Sequence, residues 1–428
     1  MTWRHLFLAS LFIFCMHVAA QAEFRPKLGV DQRHEAIKNQ TFTTSSASFQ
    51  WDMATTWSQI AEYYDLAVHF CDSVRIASGG RLTITPHPAG EMVTSTQVFD
   101  AVQNGTVEAG YDWPGYWKDI DQGFMALGSV PFGLDQEGFN LWLYEHNGTQ
   151  DVQNLYSSYN IQALPCGQGG AELGLFSTAA ITRVEDFQGL KVRSPGWFGD
   201  ILAQLGAEIV SGIPASKIPE AMNNGTLDAA EFSDPVINHT FGFDQAAAHV
   251  LQPAVHQPAS QFYVLFNAEK WALLPPDLQE LVKICAKETQ LWSRSWLTRL
   301  NIAALETLKA NMSFAMINQG LRNSLLTQTE SYLDGLRTQH PSLDQLFIGP
   351  GFRIEAEVVF AVHDMLNHYG SFPAGVVGDL ADRFFQGPSN QIDPQLLVAR
   401  QGHFVQRLKA PYKGYSPAGN NAFLHRRT

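Results

Sequence analysis

The stretch DAVQNGTVEAGYDWP (residues 100–114) returns 120 residues later as EAMNNGTLDAAEFSDP (residues 220–235). Both run from an acidic residue through a short apolar helical pattern to Asn-Gly-Thr, then alternate apolar and acidic residues as far as a proline. A glycine just past a helical pattern is a C-terminal stop, because it takes left-handed backbone without a Cβ clash, and strict alternation marks a half-buried strand. Each copy therefore reads as helix, cap and strand. A second shared outline lies upstream: GRLTI (residues 80–84) leading to Pro88-Ala89-Gly90, and GLKVR (residues 189–193) leading to Pro195-Gly196. Read as strand, turn and helix, these complete two similar units, which makes the fold α/β with two lobes facing each other across a cleft.

Downstream, Pro275-Pro276-Asp277 opens a run in which Leu281, Val282, Cys285, Trp292, Trp296, Leu300, Ala303 and Leu308 recur at helical spacing. This predicts one helix of about thirty residues, long enough to brace both lobes, or two helices broken near Asn301. The resulting division is a leader over 1–22, a linker over 23–48, a first lobe from 49–165 with 236–255, and a second from 166–235 with 256–274. The long helix takes 275–310, further helices 311–351, and an extension of unassigned role 352–428.

Residues 1–22 read as a secretory signal peptide, with Arg4, an apolar run over 6–19 and the small-x-small cleavage pattern Ala20-Gln21-Ala22. The apolar run is shorter than a bilayer requires, so the expected product is an exported, periplasmic chain. Cys15 belongs to the leader. The remaining Cys71, Cys166 and Cys285 are widely spaced, with neither CxxC nor paired His, which argues against a zinc site or a disulfide framework. Acidic residues exceed basic ones by 13 in 428 residues, and no basic cluster precedes the terminal His-Arg-Arg. No nucleic-acid partner is expected. Catalytic signatures are missing: Gly167-Gln168-Gly169-Gly170 with Gly174 lacks dinucleotide-loop spacing, and no P-loop, HExxH or GxSxG occurs. His34, His69, His87, His239, His249 and His256 have no partner three or four residues away that would make a metal pair, and each reads as a surface or satisfied core residue. Nothing assembles a nucleophile with a base, so the chain is not read as an enzyme.

Several separated motifs carry a resemblance. WDMATTW (residues 51–57), SGGRLTITPHPAGEMV, VFDAVQNGTVEAGY, ALGSVPFGL, LKVRSPG, GTLDAAEF and LLPPDLQELV, in that order and spacing over residues 49–312, resemble the solute receptors of tripartite ATP-independent periplasmic (TRAP) transporters. They are most similar to the branch that binds 2-oxo acids such as pyruvate. The resemblance implies a two-lobed periplasmic-binding-protein-like fold with hinge strands and a long helix beneath both lobes. It further implies delivery of a small 2-oxo or 2-hydroxy monocarboxylate to TRAP membrane subunits, and in some relatives a homodimer formed through the long helix.

Carried onto this sequence, the family's substrate-carboxylate arginine is Arg193, a planar guanidinium suited to two parallel hydrogen bonds. The family's cation ligands, a Gln, a Glu and the backbone carbonyl of the next residue, match Glu172, Glu231 and Phe232. Glu172 is a departure. With Arg193 at +1, the acid at −1 and two Glu at −2, the pocket sums to −2, which a divalent ion neutralises. Ca²⁺ is thus a rival to the family's Na⁺. The competing account keeps Glu172 protonated or turns it to a different ligand. Tyr116, in the aromatic cluster Tyr111, Trp113, Tyr116, is the candidate hydroxyl for the ligand, with Trp57 and Trp197 as further substrate-binding candidates. A ligand-sensing receptor with a docked transducer, or a secreted enzyme using the metal as Lewis acid, are the alternative readings.

Overall fold

The computed structural model describes residues 46–345. The leader, most of the linker and the extension over 352–428 lie outside the described residues. In chain order the elements are strand β1 (Phe49–Thr55), helix α1 (Glu62–Ala77), β2 (Leu82–His87), α2 (Val98–Gln103), β3 (Ala109–Asp112), α3 (Gln122–Gly128), α4 (Gln136–Glu145), α5 (Gly148–Ser157) and β4 (Ile161–Gly169). There follow β5 (Phe176–Ser177), β6 (Lys191–Arg193), α6 (Gly196–Gln204), β7 (Glu208–Ile209), α7 (Ile218–Asn223), β8 (Ala229–Ala230), α8 (Pro235–Thr240), β9 (His249–Gln252) and β10 (Ser260–Asn267). The described chain closes with α9 (Ala268–Leu273), α10 (Pro276–Asn311), β11 (Ser313–Met316) and α11 (Gln319–Gln339).

Two mixed sheets result, one per lobe. The first has the order β2-β1-β3-β10-β4 and the second β11-β9-β5-β8-β6-β7. In each, a central strand pairs in parallel with the two that follow it through helices: β1 with β2 and β3, and β6 with β7 and β8. The duplicated stretch is a structural repeat down to its turn. Asn104 Oδ1 accepts from the Thr106 N–H at 3.1 Å and Asn224 Oδ1 from the Thr226 N–H at 2.9 Å, around Gly105 and Gly225 at φ +75° and +76°. Both glycines occupy the left-handed region that an L side chain avoids. The upstream outlines do not correspond as the sequence suggested. Residues 80–84 open β2, whose counterpart by connectivity is β7, whereas Lys191–Arg193 forms β6, the counterpart of β1.

The lobe boundaries need a correction of the same kind. β9, in the stretch 236–255 expected in the first lobe, pairs with β5 and β11 in the second sheet. β10, in the stretch 256–274 expected in the second lobe, fills the first sheet between β3 and β4. Both are short apolar strands, and apolar pattern reports burial without naming the partner. Ile237 of α8 does join the first core. β4 runs on to Gly169, so the first crossing between lobes starts there and not at 166.

Helix α10 is unbroken over 36 residues, about 54 Å. Leu278 and Val282 belong to the first lobe's core and Leu308 to a core of the second, so one rigid element is rooted in both. Asn301, a possible break, lies within the helix and turns its side chain outward to the crossing after β8: Oδ1 accepts from the Val236 N–H and Nδ2 donates to Asp234, each at 3.0 Å.

Asp112 ends β3 wholly buried, with the Trp117 indole N–H donating to one carboxylate oxygen. Burial pushes its carboxyl up to about 7, against the opposing pull of that indole bond. Between the unfolded value near 4 and this value only the folded chain holds the proton, so this group makes stability fall as pH rises, by about 1.4 kcal/mol per unit. Asp112→Asn is expected to flatten the decline in denaturation midpoint between pH 5 and pH 7, and an unchanged pH profile would contradict this account of Asp112.

Candidate functional site

Among the segments that pass between the lobes are those following β4, β8 and β9. Each brings one ionisable side chain to the same point: Glu172 from the first, Glu231 from the second and His256 from the third. All three are 4% exposed, and one donor atom from each lies within 4.8 Å of the others. His256 Nε2 stands 3.2 Å from Glu172 Oε2 and 3.5 Å from Glu231 Oε2. Glu172 Oε1 also accepts from Gln257 Nε2 at 2.6 Å and from the Ser260 hydroxyl at 3.3 Å. The Ser194 hydroxyl donates to Glu231 Oε1 at 3.1 Å.

Arg193 reaches this point through strand pairing. The parallel register sets Arg193 opposite Ala230, and the Glu231 N–H donates to the Arg193 carbonyl at 3.1 Å. The guanidinium turns back, with Nη1 donating to the Glu231 carbonyl at 2.9 Å, and lies 5.5 Å above the Phe232 ring. Glu231 and Phe232 are thus next to Arg193 by backbone geometry alone.

Burial raises the Glu172 carboxyl well above its ordinary range, with the Asp234 charge adding to it and the Ser260 hydroxyl and Arg193 opposing. Glu231 is raised for the same first reason, with His256 and Arg193 opposing. Burial also lowers His256, against the charge of Glu231. A neutral imidazole beside carboxylates that burial drives towards protonation is a cluster that a bound cation relieves, since the ion supplies the charge that solvent cannot. The donor set fits one.

These groups open into a cavity of about 40 Å³, enough for roughly three waters. Trp57, Tyr63, Trp113, Met125 and Phe262 form its apolar wall. Trp57 is buried and meets Tyr63, Tyr111 and Phe262 edge-on. Tyr116, 42% exposed, lines both this cavity and an outer cleft of about 550 Å³. Trp197 is the one substrate-binding candidate that the structure does not bring to the cavity wall. Its ring is fully buried in the first lobe's core, and its indole N–H donates to Gln122 Oε1 at 2.7 Å. It follows Arg193 by four residues, but its side of α6 faces Gln122 of α3, while Pro195 and Phe198 on either side of it line the cavity.

Sequence reasoning missed His256, Gln257 and Ser260. Periodicity finds paired ligands on one helix, whereas His256 and Gln257 lie on an irregular crossing and Ser260 opens β10. The available signal was Pro253 and Pro258, which frame a polar His-Gln between two apolar strands.

The sequence profile of bacterial extracellular solute-binding protein family 7 (DctP) matches residues 53–330. The chain belongs to this family. Among its relatives, a monocarboxylate 2-oxoacid-binding periplasmic protein of a Nostoc species is 34% identical over 261 residues, 61% of this chain and 71% of that protein. A TRAP transporter solute-binding protein from Bordetella bronchiseptica, a mixed-occupancy dimer with co-purified calcium and picolinate in the filled site, superposes with a TM-score of 0.71 at 26% identity, covering 76% of this chain and 98% of that one. A TRAP periplasmic solute-binding protein from Pseudoalteromonas atlantica with bound sodium and pyruvate gives 0.70 at 26% identity, covering 75% and 99%. The two-lobed family 7 fold is therefore the architecture of this chain.

Within this family 7 chain, Trp197 behaves as a packing residue that joins the lobes. Trp197→Ala is expected to cost about 3–5 kcal/mol of unfolding free energy, measured by chemical denaturation. A loss below about 1 kcal/mol would return it to the list of ligand-contacting residues.

Proposed function

We propose that this chain is the extracytoplasmic, periplasmic receptor of a TRAP transporter, and that it binds a small 2-oxo or 2-hydroxy monocarboxylate, pyruvate-like in size, together with a calcium or sodium ion. The observation that carries the reading is a single arginine set beside two buried glutamates in a small cavity with an aromatic wall. Arg193 spends one N–H on the Glu231 carbonyl, which fixes the plane of its guanidinium and leaves further donors for the carboxylate of the acid. Glu172, Glu231 and the carbonyl of Phe232 hold the cation. The cation, when bound, offers a positive partner to the oxo or hydroxy oxygen beside the acid's carboxylate. The aromatic wall excludes water and limits the length of the acid, and Tyr116 lines both the cavity and the outer cleft.

The mechanism is binding without chemistry. Acid and ion have differential affinity for the arrangement in which the lobes meet, so they shift a hinged molecule towards it, and the membrane subunits recognise that shape. The charge sum favours calcium over sodium, since a divalent ion balances two glutamates and an acid against one arginine.

The test is a thermal shift of the mature chain, stripped of ligand and metal, against 2-oxo, 2-hydroxy and dicarboxylic acids with Na⁺, Ca²⁺ or chelator. An acid at a hundredfold excess over its dissociation constant adds about 2.7 kcal/mol of stability. The expected result is a shift by a monocarboxylic oxo or hydroxy acid that requires a cation, is largest with Ca²⁺ and disappears in Arg193→Ala. No shift by any carboxylate under any ion overturns the reading.

A further inference from the structure

We propose that His256 is itself a ligand of the cation, so that the cradle is a site of two carboxylates and one imidazole, one from each of three interlobe crossings, which holds a divalent ion of the Mn²⁺ type before any organic acid arrives. This rests on the cation reading of the same cavity and goes beyond it in naming a nitrogen ligand, a metal class and an order of binding.

The distances carry the first step. Donors that share a small divalent ion at about 2.1 Å stand about 3.0–3.4 Å apart in octahedral or tetrahedral geometry. His256 Nε2 lies 3.2 Å from an oxygen of Glu172 and 3.5 Å from an oxygen of Glu231. An imidazole that merely oriented a ligand would sit behind one carboxylate and touch it alone. Here one nitrogen faces both carboxylates, inside that range for Glu172 and just beyond it for Glu231, and all three residues are buried.

Charge carries the second step. Two glutamates balance a divalent ion without help from the acid, and Arg193 is then left to balance the acid by itself. The pocket divides into two neutral pairs that load separately. An oxygen-and-imidazole set also suits Mn²⁺ better than Ca²⁺, whose preference is for oxygen alone and for more ligands.

Topology carries the third. Glu172, Glu231 and His256 belong to the three crossings, which are otherwise linked near this point by the Leu173 N–H to the Ser233 carbonyl at 3.2 Å and the Glu172 N–H to the Gln257 carbonyl at 3.2 Å. An ion held by all three ties the hinge together, so the acid meets crossings already fixed in place.

The experiment uses the mature full chain, stripped with chelator in a buffer without carboxylates. Isothermal titration with Mn²⁺ and with Ca²⁺ is followed by pulsed electron paramagnetic resonance of the Mn²⁺ form. The expected result is one Mn²⁺ per chain, bound more tightly than Ca²⁺, with coupling to an imidazole ¹⁴N. His256→Ala should remove the nitrogen coupling and weaken Mn²⁺ by about tenfold or more, while Glu172→Gln should weaken the metal and keep the coupling. Circular dichroism checks that each variant folds, and His256→Gln serves as the replacement if the alanine variant does not. Mn²⁺ bound without nitrogen coupling, Ca²⁺ bound more tightly than Mn²⁺, unchanged affinity in the His256 variant, or no metal bound until acid is added each overturn the proposal. The receptor reading has its own outcome. If acid with Ca²⁺ still shifts the melting temperature, only the His256 proposal fails; if Mn²⁺ binds through nitrogen and no acid produces a shift, only the receptor reading fails.

Discussion

Two carboxylates cannot share a dry cavity unless something positive stands between them, and this chain sets Glu172 and Glu231 in one such cavity at 4% exposure each. The rest of the arrangement follows from that constraint. Arg193 is brought to the edge of the pair by parallel strand pairing, His256 faces both acids with one nitrogen, and Ser194, Gln257 and Ser260 spend their donors on the remaining oxygens. A site of this kind is costly to leave vacant and costly to fill wrongly, which makes it selective for its charge complement.

The lobes are tied at more than the crossings. Lys118 pairs with Asp200 at 2.9 Å, and Tyr332 of α11 donates to the same carboxylate at 2.7 Å. Together with the Trp197 to Gln122 bond they fasten α6 to the first lobe and to α11. Packing holds α6 and α11 as well: Trp197 is buried in the first lobe's core, and α11 places Leu333 and Leu336 in that core and Leu321 and Leu325 in one of the second lobe.

The parts of the fold legible in the sequence were those written in local pattern. The Asn-Gly-Thr turns, the long helix after Pro275-Pro276 and the parallel units could be seen because caps, prolines and periodicity act over a few residues. What could not be read was partnership. β9 and β10 have equivalent apolar patterns and sit in different sheets, and Lys191–Arg193 resembled residues 80–84 in outline but takes the place of β1. The site divides likewise. Arg193, Glu172, Glu231 and Phe232 could be singled out because they sit in, or depart from, motifs that the family resemblance carries, and the structure brings all four to one cavity. His256 was invisible, since its meaning arises from two crossings it never meets in sequence, and Trp197 lies off the cavity wall because its side of α6 faces Gln122 while Phe198, the next residue, faces the cavity.

The three cysteines of the described chain are all free and all buried, and burial raises each thiol, Cys285 to about 11. A covered, protonated thiol is neither a good nucleophile nor an easy target for oxidation. Cys71, Cys166 and Cys285 gain that cover only from the finished fold. For a receptor that folds in the periplasm, as proposed above, burial becomes a race: packing of the first lobe around β1, β4 and α10 has to outrun thiol chemistry, because a bridge formed early would join residues that the native structure keeps as separate, reduced parts of its interior.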